Sequence, residues 1–441
     1  MTKTSRDDQL VTLPAIRQNA VLAALTEPSA AKILEHGVVV RVALRQKIYE
    51  AEQQINDVFV PLDCVLSIVA RMRDGSQIEV GTIGREGTSA FPLLMGASST
   101  ANVCYCQVRG SAIKIPADLF RQLAAADPAF RQLLDRYLQA YVNMLGQLAA
   151  CNRLHTIYER CARWLLMTRD RMDFDAIPLT QEFLAMMLGT GQSGVAIAAG
   201  TLQHAGLIKY TRGMITILDR PGLEDASCEC YAIARSQFGG LLRAVPGAKA
   251  KTAKTKTVRA KTTMKTFGAK YLRTVEVGTV GHEGFVESEA ALGSSLSSRT
   301  SFCQVQGLVA RMSIERFVMR MDGSLSFARF MRSNVRAALF SSQQFTVCNA
   351  MHSVLERCAR WIAMTADRVG RPQFKLTHEF LAIMLGVRRA SVTEAADQLH
   401  QMGAIEYSRG VVTFVDGVIL ERIVCECYKA SKETFSASLL C

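Results

Sequence analysis

Two short stretches of the chain carry hydrogen-bonding side chains that could contact the base edges and phosphates of duplex DNA. They are Gln192 and Ser193 in the first stretch, and Arg388, Arg389, Ser391 and Thr393 in the second. An arginine offers paired donors to guanine and a charge to phosphate, and a glutamine can pair with adenine. The second stretch is better equipped for such contacts, because Gly191 and Gly194 weaken the helix start in the first. The alternative is that these are solvated polar residues at a helix N-terminus.

Each stretch follows a pattern that would hold the start of one helix across another. Thr180 is a good helix N-cap, Ala185 is small where a second helix would cross, and Gly189 permits the positive φ of a tight turn. Val195 falls where an apolar side chain would lie beneath the crossing. The same spacing recurs in Thr377, Ala382, Gly386 and Val392. The pattern predicts a helix-turn-helix at both places.

An alternating hairpin follows each helix-turn-helix. Residues 208–217 and 405–414 alternate apolar and polar side chains around an Arg-Gly turn. A helix-turn-helix followed by a hairpin predicts a winged unit whose second helix enters the major groove. We predict that the N-cap threonines and the hairpin arginines join the DNA contacts. These residues are Thr180, Arg212, Thr377 and Arg409.

Cysteines and histidines are the other side chains that could do chemistry. The chain has 13 cysteines, including a Cys151, His155, Cys161 set and a Cys-Glu-Cys pair at 228–230, and both features recur. On one helix Cys151 and His155 share a face but Cys161 points away, and the pairs lack partners at zinc-finger spacing. We therefore predict no metal site and no cofactor, with the thiols in the core. The second set is Cys348, His352, Cys358, Cys425 and Cys427.

No arrangement of residues points to catalysis. The sequence lacks a nucleophile–base pairing, a glycine-rich phosphate loop and paired carboxylates at useful spacing. Glu86 and its counterpart Glu283 are interpreted as turn residues. We predict that the chain is not an enzyme.

The two sets of motifs belong to one internal duplication. Residues 80–231 recur at 277–428, diverged but without a gap, so that Glu159–Trp164 returns as Glu356–Trp361. Nothing in the second copy matches residues 10–75. The chain is therefore a duplicated protein whose second copy lacks the first half of the leading domain.

The elements that must position these residues form an α+β chain. The residues before 128 are rich in short strands, and a long helix with heptad spacing follows. We favour the interpretation that the apolar stripe of this helix, here called the seam, packs on a partner helix in a dimer. The alternative is that it packs on its own domain. The seam is Phe130, Leu134, Tyr137, Tyr141, Met144 and Leu148. The predicted segments are a β-roll sensor (10–128), a long dimer helix (129–155), a winged helix-turn-helix (156–240), a basic flexible linker (241–270), a partial β-roll (271–325), a second long helix (326–352) and a second winged helix-turn-helix (353–441).

Together these features resemble the Crp/Fnr family of bacterial transcription regulators. The likeness rests on Glu79–Gly87, Asn152–His155, Glu159–Leu165 and the winged unit, and it covers residues 13–240 in the first copy. The family implies a cyclic-nucleotide-binding-like β-roll, a dimer through the long helix and two recognition helices on a palindromic site. It also implies RNA polymerase as a possible partner.

The sensor departs from the family pattern. Relatives that bind cyclic AMP hold its phosphate with an arginine and an acid, whereas residues 87–101 contain neither. We expect no cyclic AMP binding, and the ligand is unknown. The weak candidates for ligand contact are Gly84, Glu86 and Gly87. The N-terminal cysteine cluster of the iron–sulfur members is also absent.

The net charge of +13 favours a polyanionic partner, and residues 241–270 carry basic side chains without any acid. A flexible linker of about 27 residues reaches roughly 26–31 Å, comparable to half-sites about 34 Å apart. One chain could therefore act as an intrachain pseudo-dimer, and a homodimer is the alternative. No apolar run is long enough to cross a bilayer, and the N-terminus does not resemble a signal peptide. We predict a cytoplasmic protein without a membrane partner.

The sequence thus predicts a sequence-specific DNA-binding transcription regulator with a degenerate effector-sensing roll. The alternative function is a sensor or protein-interaction module whose winged domains have lost DNA binding. The glycines of the first copy and the truncated roll of the second favour that alternative.

Overall fold

The computed structural model of the protein describes residues 9–172, 174–241, 258–260, 275–294, 297 and 299–439. They fall into two compact units, one made mostly of residues before Val245 and the other mostly of residues after Pro246. The predicted basic linker, 241–270, lies outside the described residues except for 241 and 258–260.

The first unit opens with a roll of two antiparallel four-stranded sheets. The strands are β1 (Gln9–Leu10), β2 (Val38–Val42), β3 (Lys47–Tyr49), β4 (Asp57–Pro61), β5 (Val65–Arg71), β6 (Gln77–Ile83), β7 (Val103–Val108) and β8 (Gly110–Pro116). One sheet has the order β1-β2-β8-β4 and the other β3-β7-β5-β6. Strands β5 to β7 are buried almost throughout, so their sequences show apolar runs rather than alternation.

Short helices close the roll and lead into a long one. They are α1 (Leu13–Gln18), α2 (Glu27–His36), α3 (Phe91–Leu94), α4 (Ala117–Ala126) and α5 (Pro128–Leu154). Helix α5 begins with proline at its first position and Asp127 as N-cap, which accepts a 3.0 Å hydrogen bond from the Phe130 amide. Thr26 and Ser29 also donate to this carboxylate, at 2.6 and 2.8 Å. These hydrogen bonds lower the pKa of Asp127 to about 2.

The aromatic residues of the predicted dimer seam pack on their own roll. The ring of Phe130 lies 5.7 Å from that of Phe120, and the ring of Tyr141 lies 5.1 Å from that of Phe91. Tyr137 donates a 3.2 Å hydrogen bond to the carbonyl of Thr88. These seam positions therefore belong to the core of the first unit, which was the alternative to the favoured dimer seam.

The roll accommodates these rings because two glycines leave room for them. A Cβ at Gly81 would overlap the hydroxyl of Tyr141, and a Cβ at Gly87 would overlap the ring of Tyr137. Heptad spacing identifies a buried stripe but does not identify what covers it, so the sequence could not distinguish a roll from a second helix.

The rest of the first unit is a winged helix-turn-helix. Its elements are α6 (Ile157–Arg169), β9 (Ala176–Pro178), α7 (Gln181–Leu188), α8 (Gln192–His204), β10 (Ile208–Thr211), β11 (Met214–Ile217), α9 (Arg220–Ala226) and α10 (Cys230–Leu241). The three strands form an antiparallel sheet in the order β10-β11-β9. Helix α6 starts with a capping box between Thr156 and Glu159.

The second unit repeats this order of elements from α13 onward. Its elements are β12 (Val258–Ala260), β13 (Gly307–Val309), α11 (Ile314–Gly323), α12 (Leu325–Met351), α13 (Val354–Val369), β14 (Gln373–Lys375), α14 (His378–Leu385), α15 (Arg389–Gln401), β15 (Ile405–Ser408), β16 (Val411–Phe414), α16 (Gly417–Ile423) and α17 (Cys427–Leu439). The wing sheet has the order β14-β16-β15, equivalent to that of the first unit.

The segment predicted as a partial β-roll, 271–325, forms no roll where it is described. Between residues 275 and 313 the described chain has one strand, β13, paired with β12, and a 3-10 turn at Ser288–Leu292. The counterpart of β6 is not a strand here. The positions equivalent to β5, its partner in the first unit, are residues 262–268, which lie outside the described residues.

Within the described residues, no single helix is long and apolar enough to span a membrane; only α7 and α8 counted together, across a 105° bend, meet those criteria.

Candidate nucleic-acid interface

In the first copy, helices α7 and α8 cross at 105°, as a helix-turn-helix requires. Gly189 ends α7 in the left-handed conformation, with φ of 59°, and Gly386 ends α14 with φ of 61°. Val195 of α8 and Val392 of α15 are fully buried, on the inner face of the second helix of each pair. The residues chosen from spacing alone therefore occupy the turn and the core that fix the second helix.

The predicted contact residues lie at the exposed start of each second helix. In the first copy Gln192 and Ser193 are exposed, and the exposed Gly191 precedes them as N-cap. In the second copy Arg388 is the N-cap and Arg389 the first helical residue, and both side chains are exposed. The two helices therefore present different chemistry from the same position.

Two other predicted contacts of the second copy are less accessible. Ser391 and Thr393 are half-buried. The Thr393 hydroxyl donates a 3.2 Å hydrogen bond to the carbonyl of Arg389 and lies 2.9 Å from Nδ1 of His378. Its polar atom is thus already engaged within the unit.

The N-cap threonines are exposed and hold the first helix of each pair. The Thr180 side chain accepts a 3.2 Å hydrogen bond from the Phe183 amide, and Thr377 accepts the equivalent bond from Phe380, also 3.2 Å. Each carries a hydroxyl at the positive end of a helix dipole, beside which an anion is favoured.

The hairpin arginines lie at the tips of two-residue turns. Arg212 and Gly213 have φ of 51° and 74°, and Arg409 and Gly410 have φ of 50° and 74°. Positive φ at both central residues defines a type I′ turn, which suits the twist of a tight hairpin. Arginine rarely adopts this conformation, yet it does so at both wing tips, with its side chain exposed.

A buried arginine, which was not among the residues predicted from the sequence, holds the turn of each helix-turn-helix. Arg160 donates to the carbonyl of Leu188 at the end of α7, and Arg357 donates to that of Leu385 at the end of α14. Burial lowers the pKa of both guanidinium groups to about 10. A positive charge at the C-terminal end of a helix complements its dipole, so these arginines hold the turn in place.

The tryptophan that ends the Glu159–Trp164 motif, and its counterpart in Glu356–Trp361, each connect a winged unit to the segment before the long helix. The indole of Trp164 donates a 3.0 Å hydrogen bond to Glu79 on β6, and Trp361 donates to Glu276 at the same distance. Ser67 also donates to Glu79. Burial raises the pKa of the Glu79 carboxyl.

The three weak candidates for ligand contact instead bind other parts of the chain. Glu86 forms a 2.8 Å ion pair with Arg171, and its counterpart Glu283 pairs with Arg368 at 2.6 Å. A Cβ at Gly84 would lie 2.5 Å from the Arg171 side chain. Gly87 is in close contact with the ring of Tyr137. The segment Gly84 to Gly87 thus fastens the roll to α5 and to the winged unit, and Glu86 is an ion-pair partner as well as a turn residue.

The family resemblance would place the phosphate of a cyclic nucleotide in residues 87–101. Residues 87–95 of this segment are buried, including the apolar side chains of Phe91, Leu93 and Leu94, whereas residues 96–101 are exposed or half-buried and include none of the basic side chains that an anion would favour. Phe91 stacks on Tyr141 of the long helix. Apolar side chains therefore fill the buried part of this segment, and the segment as a whole offers no cationic side chain for an anion.

The structure brings together cysteines and histidines that the sequence analysis kept apart. The ligand atoms of Cys151, His155, Cys228 and Cys230, here called the first tetrad, all lie within 4.8 Å of one another. The second tetrad, Cys348, His352, Cys425 and Cys427, meets the same criterion. The Cys-Glu-Cys pairs have no partners at zinc-finger spacing, but each pair lies beside a cysteine and a histidine from the end of a long helix. Cys161 stays outside, as its helical position predicts.

This convergence was missed because each tetrad joins residues distant in the chain. Cys151 and His155 lie at the end of α5, whereas Cys228 and Cys230 lie at the start of α10. The spacing matches no zinc finger. One signal was available: all four residues of the first tetrad recur in the duplicate, whereas many surrounding positions differ.

Comparison with known proteins locates the two winged helix-turn-helix units. A family model described as a Crp-like helix-turn-helix domain matches residues 159–226 and again residues 356–423. Among curated proteins, none is significantly similar to the chain.

Three solved structures are similar to part of the chain. A regulator assigned to the Crp/Fnr family from Eubacterium rectale ATCC 33656 is 16% identical, over 48% of this chain and 98% of that one, with a TM-score of 0.40. FixK2 from Bradyrhizobium japonicum is 15% identical over 44% and 98%, with a TM-score of 0.38. The catabolite activator protein of Thermus thermophilus is 14% identical over 50% and 100%, with a TM-score of 0.24.

Proposed function

Because the chain belongs to the Crp/Fnr family of transcription regulators, as a tandem duplication with two Crp-like helix-turn-helix domains, we propose that it binds duplex DNA in a sequence-specific manner. Each second helix, α8 and α15, would enter a major groove, and the wing tips would contact the flanking phosphates.

The exposed pair Arg388 and Arg389 carries this proposal. Both lie at the start of α15, where a helix entering the major groove meets base edges, and neither forms an ion pair with another described residue. Arginine is the side chain that most often specifies guanine, through its paired donors. Two adjacent arginines at this place serve base recognition and phosphate binding together.

The first copy would recognise different bases. Helix α8 carries Gln192 at the position of Arg389, and Ile197, which is 72% exposed, at the position of Glu394. Glutamine suits adenine, and an exposed apolar side chain suits the methyl group of thymine. The first copy would therefore prefer an A·T-rich half-site and bind it with less electrostatic attraction.

The roll in this proposal is a degenerate sensor. Residues 87–101, its counterpart of the phosphate segment, contain no arginine and no acid, residues 87–95 are buried, and Gly84 to Gly87 contact the chain itself. A buried phosphate would need a cation or several donors in that place. We expect no measurable heat in calorimetric titration with cyclic AMP, and saturable binding would contradict this part of the proposal.

The assembly on DNA is either an intrachain pseudo-dimer or a homodimer, with RNA polymerase as a further partner. The pseudo-dimer is favoured by two winged units on one polypeptide. Light scattering of the complex with a selected duplex would measure its mass. One chain per duplex supports the pseudo-dimer, and two chains support the homodimer.

Selection from a random pool of duplexes tests DNA binding itself. The selected duplex should then bind the R388A/R389A variant about 10- to 100-fold more weakly at fixed salt, because one base contact is worth about 1–3 kcal/mol. R422A removes an exposed arginine from α16 instead and should bind like the wild type.

Failure of the wild-type protein to enrich any sequence would contradict the proposal. Enrichment without any effect of R388A/R389A would remove the assigned role of α15. An intact protein that retards no duplex at low ionic strength would favour the protein-interaction module.

A further inference from the structure

We propose that the chain binds two zinc ions, one in each Cys3His tetrad, and that each ion cross-links the end of a long helix to the C-terminal helix of its winged unit. This inference is independent of DNA binding.

Two of the six distances within each tetrad are close to the edges of a coordination tetrahedron, and all six are within 4.8 Å. In the first tetrad, the sulfurs of Cys151 and Cys228 are 3.5 Å apart, and Cys230 Sγ lies 3.5 Å from His155 Nδ1. The equivalent distances in the second tetrad are 3.6 and 3.7 Å. A zinc ion with bonds of about 2.3 Å to sulfur and 2.0–2.1 Å to nitrogen requires edges of about 3.8 Å between sulfurs and about 3.6 Å between sulfur and nitrogen. A disulfide would need its sulfurs at about 2.05 Å.

A carboxylate orients the histidine of each tetrad. Nε2 of His155 lies 3.2 Å from Oε2 of Glu229, while Nδ1 faces the sulfurs. Nε2 of His352 lies 3.3 Å from Oε2 of Glu426. A histidine that binds a metal through one ring nitrogen usually donates its other N–H to a carboxylate. The middle residue of each Cys-Glu-Cys motif therefore has a role in the same site as the cysteines on either side.

Burial and charge also suit a cation bound to thiolates. All six cysteines are at most 4% exposed. Arg163 and Arg360 are buried close enough to the thiols of their own tetrads to interact with them electrostatically. Three thiolates and a zinc ion carry a net charge of −1, and the buried guanidinium group balances it. The side-chain amide of Gln147 donates a 3.0 Å hydrogen bond to the sulfur of Cys230.

The ligand set selects zinc and a structural role. Three thiolates and an imidazole in a tetrahedral arrangement are typical of structural zinc sites, in which all four ligands come from the protein. Mutual distances within 4.8 Å fit a single ion. An iron–sulfur cluster distributes its cysteines over several irons and separates them further.

The position of each tetrad defines what the ion would hold together. Cys151 lies in the last turn of α5 and His155 is its C-cap, two residues before α6 begins at Ile157. Cys228 and Cys230 lie where α10 starts. The second tetrad occupies the equivalent places on α12 and α17. Zinc would therefore fix the direction in which the chain leaves the long helix and enters the winged unit.

Metal analysis of the full-length protein tests the inference. Protein purified under reducing conditions from zinc-supplemented cells should contain two equivalents of zinc by mass spectrometry of the element. C228S and C425S should each retain one equivalent, and the double variant none. The intact tetrad of each single variant serves as an internal control for folding and handling.

The matched controls are C161S and C358S, which remove buried thiols outside the tetrads. Both should retain two equivalents. Wild-type protein without stoichiometric metal would overturn the inference, and so would equal metal loss from C161S and C228S.

Cobalt replacement examines the ligands directly. Co²⁺ added to metal-free protein should produce the intense visible bands of a tetrahedral ion and a near-ultraviolet band from thiolate charge transfer. C228S should halve both signals. E426Q should keep the spectrum of its tetrad but weaken its zinc affinity about 10- to 100-fold, because the carboxylate only orients the histidine. An octahedral cobalt spectrum would contradict the proposed ligand set.

Discussion

Trp164 on α6 donates a 3.0 Å hydrogen bond to the buried carboxylate of Glu79 on β6, and this bond joins the winged unit to the roll. The duplicate retains it between Trp361 and Glu276, again at 3.0 Å. The ion pair of Glu86 with Arg171 recurs as well. The second copy therefore kept the residues through which the roll contacts a winged unit, although its described residues from 275 onward form no roll.

Removing the indole donor should destabilise the first unit. W164F leaves the buried Glu79 carboxylate with one donor fewer, at a cost of about 1–3 kcal/mol in the free energy of unfolding. Urea denaturation followed by circular dichroism measures this cost. The double variant E79Q/W164F should be less destabilised than the sum of the single variants, because the two groups share one bond. Additive effects would show that the bond contributes little.

The two copies offer a matched pair for close packing. G81A places a methyl group against the hydroxyl of Tyr141 and should cost about 1–3 kcal/mol in unfolding free energy. G278A is the equivalent change in the second copy, where nothing lies within 4 Å of the added Cβ, and it should stay within about 0.5 kcal/mol of wild type. Chemical denaturation compares the two. Equal effects would contradict the packing of Tyr141 on the roll.

The wing-tip arginine should affect stability and DNA binding in opposite directions. R409G replaces a residue at φ of 50° by one that adopts this conformation freely. We expect the unfolding free energy to stay constant or to rise by up to about 1 kcal/mol. The slope of log affinity against log salt should decrease in magnitude by about 1, as one phosphate contact is lost. R409K is the control that retains the charge, and an unchanged slope in R409G would exclude the contact.

Acid should remove a defined contribution of Asp127 to stability. Its folded pKa of about 2 lies below the ordinary value near 4, so the charged carboxylate is stabilised by folding. This contribution is fully present above pH 4 and is lost as the pH falls toward 2. The wild type should exceed D127N by about 1–2 kcal/mol at pH 6, and the difference should shrink at pH 3. Urea denaturation at both values measures it, and a difference that grows in acid would contradict the assignment.

Residue spacing was sufficient to predict the role of a residue where that role depends only on its own helix and the adjacent one. Thr180, Ala185, Gly189 and Val195 specify a cap, a crossing, a turn and a core position within two adjacent helices, so their roles follow from their order. Both helix-turn-helix units could be located in this way. The long helices could also be located, since heptad spacing is a feature of the helix itself.

The contacts that depend on distant parts of the chain could not be predicted. Tyr141 repeats with a helical period whether it faces a roll or a partner helix. Arg160 carries no sign of the carbonyl that it binds, because Leu188 supplies a backbone atom. The tetrads require α5 and α10 to meet, and no periodicity records that meeting. Such features follow from tertiary packing and become visible only when the elements are assembled.

The unlike starts of α8 and α15 have a consequence for gene control. A symmetric homodimer binds its palindrome equally well after rotation by half a turn, so it cannot distinguish upstream from downstream. A polypeptide that presents Gly191 and Gln192 at the start of α8, but two arginines at the start of α15, would bind its operator in a single orientation. The operator would then have a left and a right end. Such a regulator could impose a transcriptional polarity that a palindrome cannot encode.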